Sequence, residues 1–420
     1  MLPLLAIPAI LLILTALLGL INRLTLKLPM TIGLTLFALL ASLGVMGLEL
    51  LWPALGIGTQ MRAVLNSIEF DRTVMQGLLC FLLFAGAMHV DLKSLLSRWP
   101  LILILASFGV LLSTILNALG FWGITNLFGY TLPFALCLVF GALIAPTDPV
   151  AVLSVLKRQK ISPSLEAKIA GESLFNDGVA VVLFSILVSL AFGAEGHHGT
   201  EQLNISAGVM LFVKEAFGGA LLGLVAGYIA YLGIRATNDY ILDVIITLAL
   251  VTGAYTLATL LHVSGPIAMV IAGLLIGNSH AALGLSPTAR THLNHFWEML
   301  DEILNAILFL LIGFEIMLID WNYTFLVIIG VSIVLVIASR AIAVGIPIMV
   351  LRPFQELSHG ASVILTWAGL RGGISIALAL SLPESPYRNL ILAIAYGIVL
   401  FSIIVQGLTI ERVIAHYKKN

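Results

Sequence analysis

Ala145-Pro146-Thr147-Asp148-Pro149 interrupts an apolar run that begins near residue 131. Each proline lacks an amide hydrogen, so the helical hydrogen bonds to the carbonyls of Ala142 and Ala145 cannot form. In a membrane, such freed carbonyls need a polar partner, which an ion or water in a cavity can supply. The segment therefore reads as a transmembrane helix broken in its middle, with Thr147 and Asp148 at the break. A proline kink alone is common in membrane helices, but a kink carrying an acidic residue is much less so. A second interruption stands far along the chain, at Trp367-Ala368-Gly369-Leu370-Arg371-Gly372-Gly373. Its three glycines around one arginine permit another break and a close backbone approach.

The rest of the chain supports a lipid solvent. Of its 420 residues, 60% are hydrophobic and only 10% charged, with mean hydropathy +1.12. Soluble domains carry about 25% charged residues. A net charge of -1 leaves no basic excess for a nucleic-acid partner. The two cysteines, Cys80 and Cys137, lie in apolar runs and read as small buried hydrophobes. At about 20 apolar residues per crossing, the sequence predicts thirteen spans. They begin near residues 2, 30, 72, 98, 131, 165, 205, 238, 264, 292, 322, 359 and 387. The first, Met1 to Leu20, has neither a basic flank nor a cleavage site and reads as a retained span. No segment between spans is long enough for a soluble regulatory domain. The fold class is thus all-α and polytopic.

With thirteen spans, one set of loops and ends collects most of the basic residues, from Arg23 and Lys27 to Lys418 and Lys419. The other set holds only Arg62, Arg72 and Arg388, with Lys214 near a span end. The excess marks the cytoplasmic side, so the N-terminus is expected outside and the C-terminus inside. Spans 5 and 12 carry the two interruptions and run in opposite senses. That is the placement expected of two inverted six-helix repeats joined by span 7, and paired interruptions of this kind point to a transporter's midplane site.

Ionisable residues at bilayer depth are costly and persist where they have a partner or a task. Counting about 1.5 Å per helical residue from the cytoplasmic ends places Asp148 and Arg340 about 15 Å deep, Asp177 and Arg371 about 18 Å and Glu172 about 10 Å. These five charges, from spans 5, 6, 11 and 12, share one slab and suggest one site. Span 6 reads Gly171-Glu172-Ser173-Leu174-Phe175-Asn176-Asp177-Gly178. Ser173 and Asp177 share a helix face, as do Glu172 and Asn176, and the two faces adjoin. Oxygen donors of this kind suit a hard cation, and a carboxylate can hold either that cation or a proton. Mid-helix polar groups also serve as glue between helices. For Ser173 or Asn176 alone that reading wins, but not for Asp177 beside Glu172. Arg340 is the expected partner of Glu172, since an unpaired buried arginine is prohibitive. Arg371 is expected either to neutralise the inward dipole ends of the broken helices or to pair with Asp148.

These segments resemble the monovalent cation/proton antiporters, in the bacterial sodium/proton branch related to the eukaryotic sodium/proton exchangers. The resemblance rests on Asp148 in Ala-Pro-Thr-Asp-Pro-Val, on Gly171 to Gly178 and on Gly369-Leu370-Arg371-Gly372-Gly373. It extends through Ser264-Gly265-Pro266 with Gly273 and Gly277, and through Phe296-Trp297-Glu298 leading to Phe309 and Gly313. It covers nearly the whole chain. It implies a homodimer in the cell (inner) membrane, with a dimerisation part and a mobile core moving in an elevator-like manner. The core is expected from spans around 72-193 and 322-414, including 141-178, residue 340 and 367-374. The dimerisation part is expected from spans around 1-52 and 205-280. The resemblance further implies a transported Na+ or Li+ held by Asp177, Asp148, Ser173 and the Thr147 carbonyl, with Glu172 contributing directly or through water. Glu172 and Arg340 match the family's structural ion pair. No cofactor is implied beyond the transported cation and protons, and the other partners are membrane lipids.

Proton and cation are expected to compete for Asp177. Asn176 has an amide that does not titrate, and in the family an Asn-Asp pair accompanies electroneutral one-for-one exchange. A potassium/proton antiporter of the same fold is the alternative, because cavity size sets selectivity. A serine hydrolase using Ser173 lacks a histidine at midplane depth in spans 5, 6, 11 or 12. A passive channel fits the paired breaks and the titratable carboxylate less well than a carrier. Weaker signals are His197 and His198, an external pair short of a metal site. His292 and His295 near the cytoplasmic mouth read either as a pH-responsive pair or as a polar helix end. Glu315 is a candidate lining of an external funnel, and the stretch Gln60 to Arg72 reads as an external interfacial helix.

Overall fold

The computed structural model describes residues 5–97, 99–150, 152, 163–193, 205–236, 239–278, 287–351 and 360–418. Among them the chain is helical throughout, with no strand. Nine helices among the described residues are long and apolar enough to cross a membrane: Ala6–Leu24, Met30–Leu51, Ile57–Met88, Ile102–Leu127, Ile169–Phe192, Gly208–Arg235, Tyr240–Leu260, Tyr323–Val350 and Arg388–Tyr417. They are spans 1 to 4, 6 to 8, 11 and 13. Span 12 is a helix pair, Ser362–Ala368 and Gly373–Leu380, bent by 49°. Phe134–Ile144 and Gly265–Asn278 are shorter and supply spans 5 and 9. Span 10 is Pro287–Phe314, whose middle carries Glu298, Asp301 and Glu302 and is therefore less apolar. The order and positions match the thirteen runs in the sequence. Both cysteines are free and buried. Within Ile57–Met88, the segment Ile57–Ile68, which overlaps the expected interfacial helix Gln60 to Arg72, is set off from the rest by a left-handed Glu69 and is pinned to span 2 by Arg62 and Glu49 at 2.6 Å.

Two packing groups emerge. Span 4 packs on spans 5 and 11, span 5 on span 6, span 11 on spans 12 and 13, and span 12 on span 13. Span 2 packs on spans 1 and 10, and span 9 on spans 3, 7 and 8. Span 3 was grouped by sequence with the rest of 72–193, yet its main neighbours are spans 9 and 10. Glycine explains the preference. A Cβ at Gly273 or Gly277 of span 9 would land on the main chain of span 3, against the carbonyls of Phe84 and Met88. Only hydrogen at those positions lets the two backbones touch, as in other membrane helix pairs. Gly277→Val is expected to destabilise the protein by about 1–3 kcal/mol through overpacking. Thermal unfolding in detergent reads this as a lowered midpoint. Gly330→Val, where a Cβ meets nothing within 4 Å, should leave the midpoint unchanged.

Candidate functional site

The proline break reorganises the end of span 5 locally. The Ala145 N–H reaches back only three residues, to the Ala142 carbonyl at 3.2 Å, which tightens the last turn and fills one of the two freed acceptors. The other, the carbonyl of Ala145, accepts from the Arg371 guanidinium, whose same nitrogen also donates to the Pro146 carbonyl at 2.9 Å. Arg371 thus caps the carbonyl end of a half-helix, where the aligned peptide dipoles leave partial negative charge. Among the described residues no ion pair joins it to Asp148, so the dipole role is the one the side chain takes.

The two breaks cross and touch through their backbones. Asp148 donates its N–H to the Leu370 carbonyl at 2.8 Å, while its Oδ1 accepts from the Val150 N–H at 2.9 Å. A Cβ on Gly372 would overlap the Asp148 carboxylate, and one on Gly369 would strike the Arg340 guanidinium. The glycines around Arg371 therefore admit these neighbours as well as permitting the bend.

Span 6 meets the break through a buried polar cluster. The Asn176 amide oxygen accepts from the Thr147 N–H at 3.3 Å, and its NH2 donates to the Thr147 hydroxyl at 2.6 Å. That hydroxyl also shares a hydrogen bond with Ser173 at 3.1 Å. Asn176 spends both ends of its amide on Thr147 and so ties span 6 to span 5. Glu172 faces Arg340, with N···O approaches of 2.7 and 2.9 Å, and both residues are buried. Asp177 is 6% exposed, and its buried Oδ1 has no hydrogen-bond partner among the described residues. A buried carboxylate oxygen without a donor is rare in a folded protein and calls for a ligand or a proton. Asp177 and Asp148 are the acidic groups here whose carboxylates no arginine occupies.

Two residues outside the sequence reading join this cluster. The Arg371 main-chain N–H donates to the Ser402 hydroxyl at 2.9 Å, and Ser402 donates to the Gln406 side-chain oxygen. Their signal was present, as polar residues four apart in an apolar span, but they carry no charge to draw notice. A small cavity beside them is lined by Arg340, Arg371, Thr366 and Gln406. Of the weaker signals, His292 stacks on Tyr240 at 4.7 Å between ring centroids. Glu315 is buried just past the C-terminal end of span 10, which does not suit the lining of an open funnel. His197 and His198 lie outside the described residues.

The comparisons with known proteins agree with this architecture. The model of the family described as "Sodium/hydrogen exchanger, transmembrane" matches residues 10–416. The chain is 45% identical over 405 residues to the Na(+)/H(+) antiporter NhaP of Pseudomonas aeruginosa, covering 94% of this chain and 93% of that one. It is 38% identical over 356 residues to the Na(+)/H(+) antiporter NhaH of Halobacillus dabanensis, covering 84% and 85%. Among solved structures, the sodium proton antiporter MjNhaP1 from Methanocaldococcus jannaschii at pH 8 superposes with TM-score 0.75, covering 98% of each chain. At 20% identity, that likeness is one of fold.

Proposed function

The chain belongs to the sodium/hydrogen exchanger family, and from that premise we propose that it is a secondary antiporter exchanging Na+ (or Li+) for H+ at Asp177. It is a transporter and not an enzyme. The observation that carries the reading is the buried carboxylate oxygen of Asp177, without a hydrogen-bond partner among the described residues, on the helix that bonds to the span 5 break. Proton and cation compete for that group, so loading one expels the other. The empty, charged carboxylate resists crossing the apolar barrier, which couples the two fluxes. Asp148, Ser173 and Thr147 complete the oxygen set around the cation. Asn176 cannot titrate and binds Thr147, and Glu172 is neutralised by Arg340. Of the two carboxylates that no arginine occupies, Asp177 trades one proton against one monovalent cation while Asp148 keeps its charge, and that division is the basis for electroneutral one-for-one exchange.

The two packing groups divide naturally into moving and static parts. Spans 4 to 6 and 11 to 13 hold the breaks and form the mobile core. The remaining spans form a scaffold through which two copies associate, and the core slides against it in elevator fashion. The basic loops support an orientation of this dimer with its N-terminus outside, and the bacterial relatives support a location in the cell (inner) membrane.

The test is transport in proteoliposomes carrying an imposed pH gradient. Na+ or Li+ is expected to dissipate the gradient saturably, and K+ is not. The Na+-driven rate should not change when a membrane potential of about 100 mV is imposed, whereas moving one net charge through that potential would shift the energetics by about 2.3 kcal/mol. Equal dissipation by K+ overturns the choice of cation, and a voltage-dependent rate overturns the one-for-one ratio.

A further inference from the structure

Span 13 carries two buried polar residues that the charge balance does not require. Ser402 and Gln406 stand four apart and bound the stretch of that span, Ser402–Gln406, where the helix loosens into a π-turn. Loosened turns of this kind recur at functional sites because they re-aim a side chain or a backbone group. Here Ser402 accepts a hydrogen bond from the Arg371 main-chain N–H at 2.9 Å and donates its own hydroxyl hydrogen bond to the Gln406 side-chain oxygen. Without that acceptor, the amide of Arg371 would stand unbonded inside the break, where no water competes to satisfy it.

The consequence lies one residue away on either side. Leu370 holds the Asp148 N–H through its carbonyl at 2.8 Å, and Gly372 lies directly against the Asp148 carboxylate. The Arg371 side chain meanwhile holds the carbonyls of Ala145 and Pro146, adjacent to Thr147. The placement of residues 370–372 therefore fixes where the oxygens of Asp148 and Thr147 stand. Asp177, on span 6, is not part of this chain of bonds.

We propose that Ser402, oriented by Gln406, is a positioning residue that sets cation affinity by anchoring the Arg371 backbone at the crossing of the two breaks. The inference rests on the reading of Asp148 and Thr147 as cation ligands. It goes beyond that reading by assigning affinity to a hydroxyl on a third helix that touches no ion.

The experiment is Na+-driven proton flux in proteoliposomes, with rates normalised to the folded transporter recovered by size exclusion. Ser402→Ala removes the acceptor and leaves a buried donor unsatisfied, so the KM for Na+ is expected to rise about tenfold. The maximal rate should stay within about twofold of wild type, because the proton carrier is undisturbed. Ser402→Thr keeps the hydroxyl and should restore the KM. A merely structural serine would lower the yield of folded protein without separating KM from maximal rate. An unchanged KM in Ser402→Ala overturns the proposal, as does an equal rise in the alanine and threonine variants. Should Ser402→Ala fail to fold, Gln406→Met decides the matter. It frees the serine hydroxyl from its acceptor and should raise KM about threefold, and no rise overturns the proposal. Wild-type protein without Na+/H+ exchange would instead defeat the functional reading, so the two failures are distinct.

Discussion

Asp177→Asn is expected to reduce cation–proton exchange to the background of protein-free vesicles. The substitution conserves shape, so nothing in the packing of span 6 needs to move. What disappears is the ability to take up a proton and to carry the negative charge that attracts a cation. The effect on stability should run the other way. Asp177 is buried with a carboxylate oxygen that no donor among the described residues satisfies, and burying an uncompensated charge is costly. A neutral amide relieves that cost, so the unfolding midpoint in detergent is expected to hold or rise while transport is lost. Flux assays on vesicles with matched protein content check the first half, and thermal unfolding checks the second. Surviving exchange in this variant would remove Asp177 from the carrier role.

The second large effect is expected at the buried ion pair. Glu172 and Arg340 meet at 2.7 Å with side-chain exposures of 2% and 7%. Removing one member of such a pair strands the other charge at low dielectric, at a cost of about 3–5 kcal/mol. Arg340→Met and Glu172→Gln should each lower the unfolding midpoint sharply. The double variant should recover part of the loss, because it strands neither charge while the amide left at position 172 still lacks a hydrogen-bond partner. Single variants as stable as wild type would mean that water reaches the pair. Transport in the double variant then separates two roles for Glu172. Retained exchange leaves it structural, whereas lost exchange at partly recovered stability makes it part of the ion's surroundings.

Much of this molecule is written locally along the chain. The thirteen crossings follow from run length and composition, since lipid tolerates little else than unbroken apolar helix at that depth. The break in span 5 follows from two prolines with no N–H to give, and the break in span 12 from glycines around Arg371. Asp177, Asp148, Glu172, Arg340 and Arg371 stood out because charge is expensive in a bilayer and so is seldom placed there without use.

Partner choice was not legible in this way. The sequence left Arg371 between a dipole end and Asp148, and only the crossing geometry gave it the carbonyls of Ala145 and Pro146. It placed Asn176 among the ion-binding groups with no bonding partner named, and only the folded chain gives both ends of its amide to Thr147. It grouped span 3 with the core, whereas Gly273 and Gly277 draw it to span 9. Ser402 and Gln406 passed unnoticed because neither is charged. The physical reason is common to all four. Which helices exist, and where they break, depends on backbone chemistry within a few residues, and the sequence alone determines it. Which buried groups meet depends on how closely helices from distant parts of the chain approach, and tertiary packing alone decides that.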